Sequence, residues 1–395
     1  MKLLVNLNSL NHPLTGIGEY TLNIVKEILT DDQVQDIRGM RRSRYINRQQ
    51  ITALVNSFEN GNENQGKVSQ HLSRSGKIQL VSRVARKLLR IYNEFSLRLY
   101  RRMLKHYVYW EPNYICLNHQ GVCVPTIYDL SHILCPQFHP KERVRHLQTH
   151  LPNTLTRAQH VIVVSEYTKQ SVIQNFEFDE NKITVVPPSV HQDYYPRSEA
   201  ECLQLKHRLK LPQKFLLFVG TLEPRKNLKG LLLAYASLPS EMQNEYPLVL
   251  AGKRGWLLEE IDELLQPMLK SGAVIWLGYI HRADLPALYS SATALAYVSH
   301  YEGFGMPIAE AMAAGTAVIA SDSTAMIEAS GGAVCSVSPD SVESITQGIG
   351  KVLADSEYRR KCETKGLEVS KHRSWKTSKN LLINALLNVH NNVQD

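Results

Sequence analysis

Short apolar runs, separated by segments of helix length, recur along most of this chain. In the second half they fall at "FLLFVG" (215–220), "PLVLAG" (247–252), "AVIWLG" (273–278), "TALAYV" (293–298), "TAVIAS" (316–321) and "GAVCSV" (332–337). Runs this short, rich in Val, Ile and Leu and bounded by turn residues, predict parallel strands buried on both faces by the helices between them. The first half opens with a strand near residues 2–8, a loop "NHPLTGIG", and a helical pattern from Glu19 to about Leu29. Further runs stand at "YICL" (114–117), "VPTIYDL" (124–130), "VIVVS" (161–165) and "ITVVPP" (183–188). Pro187-Pro188 and the polar "SVHQDYYPRSEAE" mark a boundary. The pattern therefore predicts an α/β protein of two doubly wound domains facing a cleft: residues 1–190, a linker at 191–212, residues 213–375, and a closing helix or tail at 376–395. The length of 395 residues agrees, since one hydrophobic core seldom fills so long a chain. Ligands of such sheets sit beyond the carboxyl ends of the strands, so the loops there are the candidates for function.

Three of those loops carry chemistry. In "HYEGFGMPIAEAMAAGTAVIAS" (300–321), a strand leads through Glu302-Gly303-Phe304-Gly305-Met306 into a short helix that Pro307 can start and Gly315 can end. Free N–H groups at that helix start, with Gly303 and Gly305 allowing close approach to the backbone, suit a diphosphate. Glu310 lies one turn into the helix, placed to accept hydrogen bonds from ribose hydroxyls, and Glu302 could hold the hydroxyls of a second ring. The bland alternative is a loop surface charge and a capping charge. In "VGTLEPRKNLKG", a strand ends at Gly220, Thr221 follows, and Arg225 and Lys226 arrive just before the next helix. A planar fork and a point charge there could clamp phosphate oxygens, whereas two cations at a helix start are otherwise unfavourable. In "PLTGIGEYT", Gly16 and Gly18 sit between a strand and a helix, which a simple turn would also explain.

Composition and charge narrow the classes. Hydrophobic residues at 43% and charged residues at 21% are globular values. No apolar run approaches the ~20 residues needed to cross a bilayer, and Asn6 and Asn8 interrupt the first run before a signal-peptide core could form, so a cytoplasmic location is expected. The six cysteines show no CxxC spacing and read as free thiols, and the 15 histidines form no ligand pattern, so no bound metal is expected. Most of the formal charge of +8 lies in one segment, where Arg83, Arg86, Lys87, Arg90, Arg98, Arg101, Arg102 and Lys105 face only Glu94. Val84, Leu88, Ile91, Phe95, Leu99 and Met103 recur there at helical spacing. A basic amphipathic helix at about 77–107 fits an anionic membrane surface met through 83–105, and equally the solvated face of an ordinary helix. No recognition motif accompanies the charge to suggest nucleic acid.

Taken together, "GIGEYTLN", "VGTLEPRKN", "LAGKRGW", "LGYI", "LPALYSSA" and "EGFGMPIAE" resemble, in order, the conserved blocks of the family-4 retaining glycosyltransferases of the GT-B fold. The last block carries that family's two glutamates separated by seven residues. The resemblance runs from about residue 3 to residue 340, and the stretch 31–110 lies outside it.

It implies an N-terminal acceptor domain and a C-terminal domain binding a nucleotide-diphosphate sugar, with no cofactor and no metal. Glu310 would contact the ribose. Glu302 and the backbone amides of Phe304, Gly305 and Met306 would contact the sugar and phosphates. Lys226, helped by Arg225 beside Gly220 and Thr221, would neutralise the leaving diphosphate, which Gly16 and Gly18 would approach from the first domain. Thr221 stands where many members have Arg. Tyr128-Asp129 stands where many have His-Asp, leaving Asp129 as the available polar group there.

The contexts "YDLSHILCPQFHP" and "VPPSVHQDYYP" look most like bacterial transferases that build O-antigen from mannose or rhamnose donors, which favours a GDP-mannose-type donor. With a lipid-linked saccharide as acceptor, the basic segment Arg83 to Lys105 is expected to hold the first domain on the anionic inner face of the cytoplasmic membrane. A UDP-sugar donor, another GT-B chemistry such as a phosphorylase or 2-epimerase, and a GT-B scaffold without turnover are the alternatives.

Overall fold

The computed structural model describes residues 1–42, 44–59, 104–117 and 119–392. The basic segment at 83–105 falls outside them except for Leu104 and Lys105. Among the described residues no helix is long and apolar enough to cross a membrane.

The first sheet has seven strands: β1 (Lys2–Asn6), β2 (Asp36–Arg41), β3 (Arg44–Ile46), β4 (Val108–Glu111), β5 (Cys123–Ile127), β6 (Val161–Val163) and β7 (Ile183–Val185). Their order is β3-β2-β1-β4-β5-β6-β7, parallel except for β3. The second sheet is built from β8 (Leu216–Val219), β9 (Leu248–Ala251), β10 (Val274–Gly278), β11 (Ala294–Tyr297), β12 (Ala317–Ser321) and β13 (Cys335–Val337), ordered β10-β9-β8-β11-β12-β13 and wholly parallel. In both sheets the order reverses beside the first strand, between β1 and β4 and between β8 and β11. At such a switch point neighbouring loops leave in opposite directions and open a crevice.

Alternation within the strands explains the continuous apolar runs. Leu216 and Phe218 of β8 face one core, shared with the helices Leu228–Ala236, Glu259–Ser271 and Val342–Ala354. Leu217 and Val219 face the other, shared with Leu285–Ser291 and Met306–Ala313. Successive side chains point to opposite faces, so a sheet covered on both sides must be apolar at every position.

Several expectations need correction. "YICL" (114–117) is not a strand: Val108–Glu111 pairs with β1 and β5, and Tyr114 has a left-handed φ of 56°. The sequence reading passed over β2 and β3, because "DIRGMR" carries charge at both ends of a strand next to the sheet edge. Cys116 and Cys123 are not free thiols but form a disulfide across the turn from β4 to β5; Cys135, Cys202, Cys335 and Cys362 are free and buried. Within the 191–212 linker the helix Glu199–Leu209 carries a capping box at Ser198 and Glu201 and packs Leu205 into the second domain's core. The final helix, Trp375–Asn392, returns to the first domain, where Leu382, Ile383 and Leu386 join its core and Lys379 Nζ lies 2.5 Å from Asp31.

Candidate active site

The loops after β8 and β11 meet at the second switch point. After β8, a short 3-10 turn Pro224–Lys226 ends at Asn227, whose left-handed φ of 55° and side-chain cap on Gly230 N (3.2 Å) start the following helix. The Asn227 amide also donates to the carbonyls of Val298 (3.0 Å) and Pro339 (2.7 Å), tying the loops after β8, β11 and β13 together. Gly220 has φ 149°, and a Cβ there would come within 2.9 Å of the Lys226 stem. Its role is to let that side chain lie flat against the strand end.

Lys226 is thereby buried and aimed at Glu302. Its Nζ donates to Glu302 Oε1 (2.9 Å) and to the Tyr297 hydroxyl (2.6 Å). Tyr297, 1% exposed at the end of β11, donates its hydroxyl to the same carboxylate oxygen at 2.7 Å, and Ser299 adds a hydroxyl at 3.2 Å. Arg225 lies 2.7 Å from Glu302 Oε2, donates to the Tyr301 carbonyl (2.7 Å), and pairs with Glu223 (2.7 Å). Burial would raise the Glu302 carboxyl, but the Arg225 and Lys226 charges outweigh it and hold the group well below the ordinary carboxylate range. Burial likewise opposes the Arg225 cation, and Glu302 and Glu223 overcome it.

The helix Met306–Ala313 begins after Gly305, at φ 105°, with no side chain capping its N-terminus and Pro307 in its first turn. Its first amides therefore keep the dipole end open beside the Lys226–Glu302 pair. Gly315, at φ 77°, closes the helix. Glu310 is only partly buried, yet its surroundings raise its pKa to about 7, chiefly by desolvation and against the hydrogen bond it accepts from Tyr289 (2.7 Å). Phe304 is not a free loop residue: its ring joins the first domain's core, with the Arg373 guanidinium 5.3 Å from its centre. Thr221 is partly buried at the strand end.

From the first domain, Thr15 caps the helix Gly16–Ile28 through Gly18 N at 3.2 Å. A Cβ on Gly18 would meet the Ser9 carbonyl and Leu14 at 2.9 Å, whereas one on Gly16 would meet nothing within 4 Å. Of the glycine pair, Gly18 is packed and Gly16 is exposed. Asp129 Oδ1 accepts from Ser131 N (2.9 Å) and Ser131 Oγ (2.7 Å), and Ser131 Oγ lies 2.8 Å from His139 Nε2. Desolvation, with Arg143 and Arg225 nearby, pushes His139 down to about 4, so it is a neutral donor to Ser131. Beside Glu310 a cavity of about 310 Å³ opens between the domains, lined by Leu14, Glu19, Tyr194, Tyr279, His281 and Arg282. The Glu19–Arg282 pair, 3.1 Å apart, bridges its two walls.

The structure thus joins Glu302, Lys226 and Arg225 directly and sets the Glu310 helix beside them, while Asp129 and Gly16 lie on the facing domain. Sequence reasoning missed Tyr297, Ser299, Tyr289 and Asn227. A tyrosine closing the buried strand "ALAY" was the available signal for Tyr297, since a hydroxyl at the end of an apolar strand needs a partner.

Two facing doubly wound sheets with this cation–carboxylate cluster at the second switch point define a GT-B glycosyltransferase. The fold matches the Anabaena protein Alr3699/HepE, crystallised with UDP and glucose, at a TM-score of 0.69 and 18% identity over 98% of this chain and 100% of that one. It also matches WaaG, a glycosyltransferase involved in lipopolysaccharide biosynthesis, at 0.65 and 12% identity over 97% and 99%. Residues 203–369 fit the family Glycosyl transferases group 1. The whole chain aligns with the Escherichia coli O-antigen chain mannosyltransferase B, 34% identical over 386 residues, 98% of this chain and 99% of that protein. The chain belongs to the group 1 glycosyltransferases, in accord with the family resemblance and GT-B fold read from its sequence blocks.

Proposed function

We propose that this glycosyltransferase moves a hexose of the mannose type from a nucleotide-diphosphate sugar, with a GDP-linked donor favoured, to a lipid-linked saccharide in O-antigen synthesis. The observation that carries the reading is the buried Lys226–Glu302–Arg225 cluster beside an uncapped helix start. Two cations and open amides form a receptor for a diphosphate, and Glu302 serves as their counter-ion until one arrives. The ribose then lies on Glu310 and the base in the 310 Å³ cavity. The 34% identity with an O-antigen mannosyltransferase over 98% of this chain supports the sugar and the pathway.

The chemistry follows from where negative charge develops. As the bond from the anomeric carbon to the phosphate oxygen breaks, Lys226 and the Phe304–Met306 amides stabilise the departing diphosphate, and water is excluded by the docked domains. The acceptor hydroxyl attacks from the same face, its proton passing to the leaving phosphate oxygen, so configuration is retained. Charge neutralisation by Lys226 requires no metal in this scheme. The basic segment 83–105 is assigned to the anionic inner leaflet of the cytoplasmic membrane, where a lipid-linked acceptor lies.

Calorimetry of the purified protein with GDP, UDP, ADP and CMP, in the presence of EDTA, tests the reading. Tight binding of GDP alone is the expected result. Preference for UDP would overturn the donor assignment. Absence of binding by all four would overturn the enzyme's proposed donor class and favour a scaffold.

A further inference from the structure

Glu302 is held from both sides by the opposite domain. The residue before it, Tyr301, accepts the Leu130 N–H on its hydroxyl at 3.1 Å. The residue after it, Gly303, presents its carbonyl to the Ser165 hydroxyl at 2.8 Å and to Thr168 Oγ1 at 3.4 Å. A Cβ on Gly303 would come within 1.8 Å of the Tyr128 carbonyl. Gly303 therefore lacks a side chain because the first domain's backbone occupies that space, and not because a ligand does. This corrects the expectation that both glycines of the loop serve ligand approach.

The helix that brings Ser165 and Thr168 to Gly303 is itself gripped by the second domain. Glu328 places one carboxylate oxygen on the N–H of Glu166 (2.8 Å) and the other on that of Tyr167 (2.6 Å), capping the helix Glu166–Phe176 from across the cleft. A carboxylate on two open amides at a helix start is a charge-assisted contact aided by the dipole. Glu328 stands on the short helix Met326–Ser330, which packs behind Gly305: a Cβ on Gly305 would lie 3.5 Å from Met326 and 3.7 Å from Ala329. Both ends of the clamp thus act on one loop. Neither Ser165 nor Glu328 touches Lys226, Arg225 or Glu302 through any hydrogen bond of the cluster described above.

We infer that Ser165 and Glu328 are positioning residues that couple docking of the two domains to the backbone of the Glu302–Met306 loop, so that the loop is set for transfer only when the first domain is seated on Gly303. The inference rests on the proposed transfer reaction for its kinetic consequence, but its structural consequence stands apart from it. Nucleotide binding draws on Lys226, Arg225 and Glu310, which the clamp does not touch, and only in part on the loop amides and the cavity between the domains. The transfer step uses the loop geometry that the clamp fixes.

The test uses the full chain as wild type, Ser165→Ala, Ser165→Thr, Glu328→Gln and Gly303→Ala. Nucleotide affinity is measured by calorimetry, with the nucleoside diphosphate that wild type binds best. Sugar transfer is measured at saturating donor, and the radius of gyration by small-angle scattering. Loss of a charge-assisted or neutral buried hydrogen bond should lower kcat roughly ten- to a hundredfold in Ser165→Ala and Glu328→Gln. Nucleotide affinity should fall by a much smaller factor than kcat, scattering should show a more open particle, and Ser165→Thr should restore most of the rate. Gly303→Ala should show the same split more strongly. Unchanged kcat with an unchanged radius would overturn the clamp, as would equal losses of kcat and nucleotide affinity. If wild type transfers no sugar from any donor, the proposed function fails. The scattering comparison alone then decides the clamp, a compact Glu328→Gln and Gly303→Ala overturning it.

Discussion

Replacing Glu302 by Gln removes the negative charge that touches both Lys226 and Arg225 while preserving the shape of the side chain. In the native site the carboxylate accepts from Lys226 (2.9 Å), from the Tyr297 hydroxyl (2.7 Å) and from Ser299 (3.2 Å), and pairs with Arg225 at 2.7 Å. An amide supplies only one accepting oxygen, and its NH2 must face a cation. Glu302 and Lys226 are each 8% exposed, so water cannot replace what is lost. Removing one partner of a buried ion pair costs about 3–5 kcal/mol, which for a domain of this size corresponds to a fall of about 6–20 °C in Tm. Calorimetric unfolding without ligand should show it. A saturating nucleoside diphosphate brings its own negative charge to the two cations, so it should raise the Tm of Glu302→Gln by more than that of wild type. The pH dependence has a definite sign. The native carboxyl is held below its ordinary value of 4.5, so its contribution is complete above that value and is lost only as pH falls through the lower native one. The difference between variant and wild type should therefore be flat from about pH 6 to pH 9. A variant that melts within about 1 °C of wild type without ligand would refute the reasoning, because a buried cation pair cannot lose its counter-ion at no cost.

The remaining predictions concern neighbouring groups. Tyr297→Phe takes one of three donors from Glu302 Oε1 and leaves one hydrogen of Lys226 without its acceptor, and should cost about 1–3 kcal/mol in stability with a lower kcat, read by thermal unfolding and transfer rate. Glu310 titrates near 7 because burial raises it, so in the native protein its ionisation costs stability progressively from the ordinary carboxylate range up to about 7 and constantly above that; Glu310→Gln should therefore gain stability relative to wild type on going from pH 4 to pH 8. Nucleotide affinity should rise through pH 7 in wild type and lack that inflection in Glu310→Gln, by calorimetry at several pH values. Changing Arg98, Arg101 and Arg102 together to Ala should release the protein from vesicles containing anionic lipid in a flotation assay, each lost charge weakening binding by about 1 kcal/mol; undiminished flotation would defeat the membrane assignment of that segment.

How much of this was legible beforehand depends on whether the determining forces are local. All six strands of the second sheet lie within the apolar runs quoted for them, because a strand covered on both faces has no room for polar residues at either parity. β2 escaped notice for the converse reason: Asp36, Arg38 and Arg41 are tolerated next to a sheet edge, and they break the run. "YICL" misled because an apolar tetrapeptide can equally fill the core from a turn, as Tyr114 and Cys116 do. Cys116 and Cys123 were unreadable as a pair, since no spacing rule foretells which residue of the β4–β5 loop is brought to the start of β5.

The family, the two α/β domains and the loops that carry Glu302, Glu310, Arg225 and Lys226 were legible in the residues alone, because strand periodicity, helix starts and glycine-rich turns act over a few residues. What those residues touch is settled by long-range packing. Gly18 packs against Ser9 while Gly16 stays exposed, Gly303 receives the first domain's backbone, and the last helix crosses back to pack on the first domain. The physical reason is the same in each case. A missing side chain, a carboxylate or an apolar stripe states a local capacity, and which partner fills it depends on chain segments tens to hundreds of residues away, as with Ser165 and Gly303 at a separation of 138.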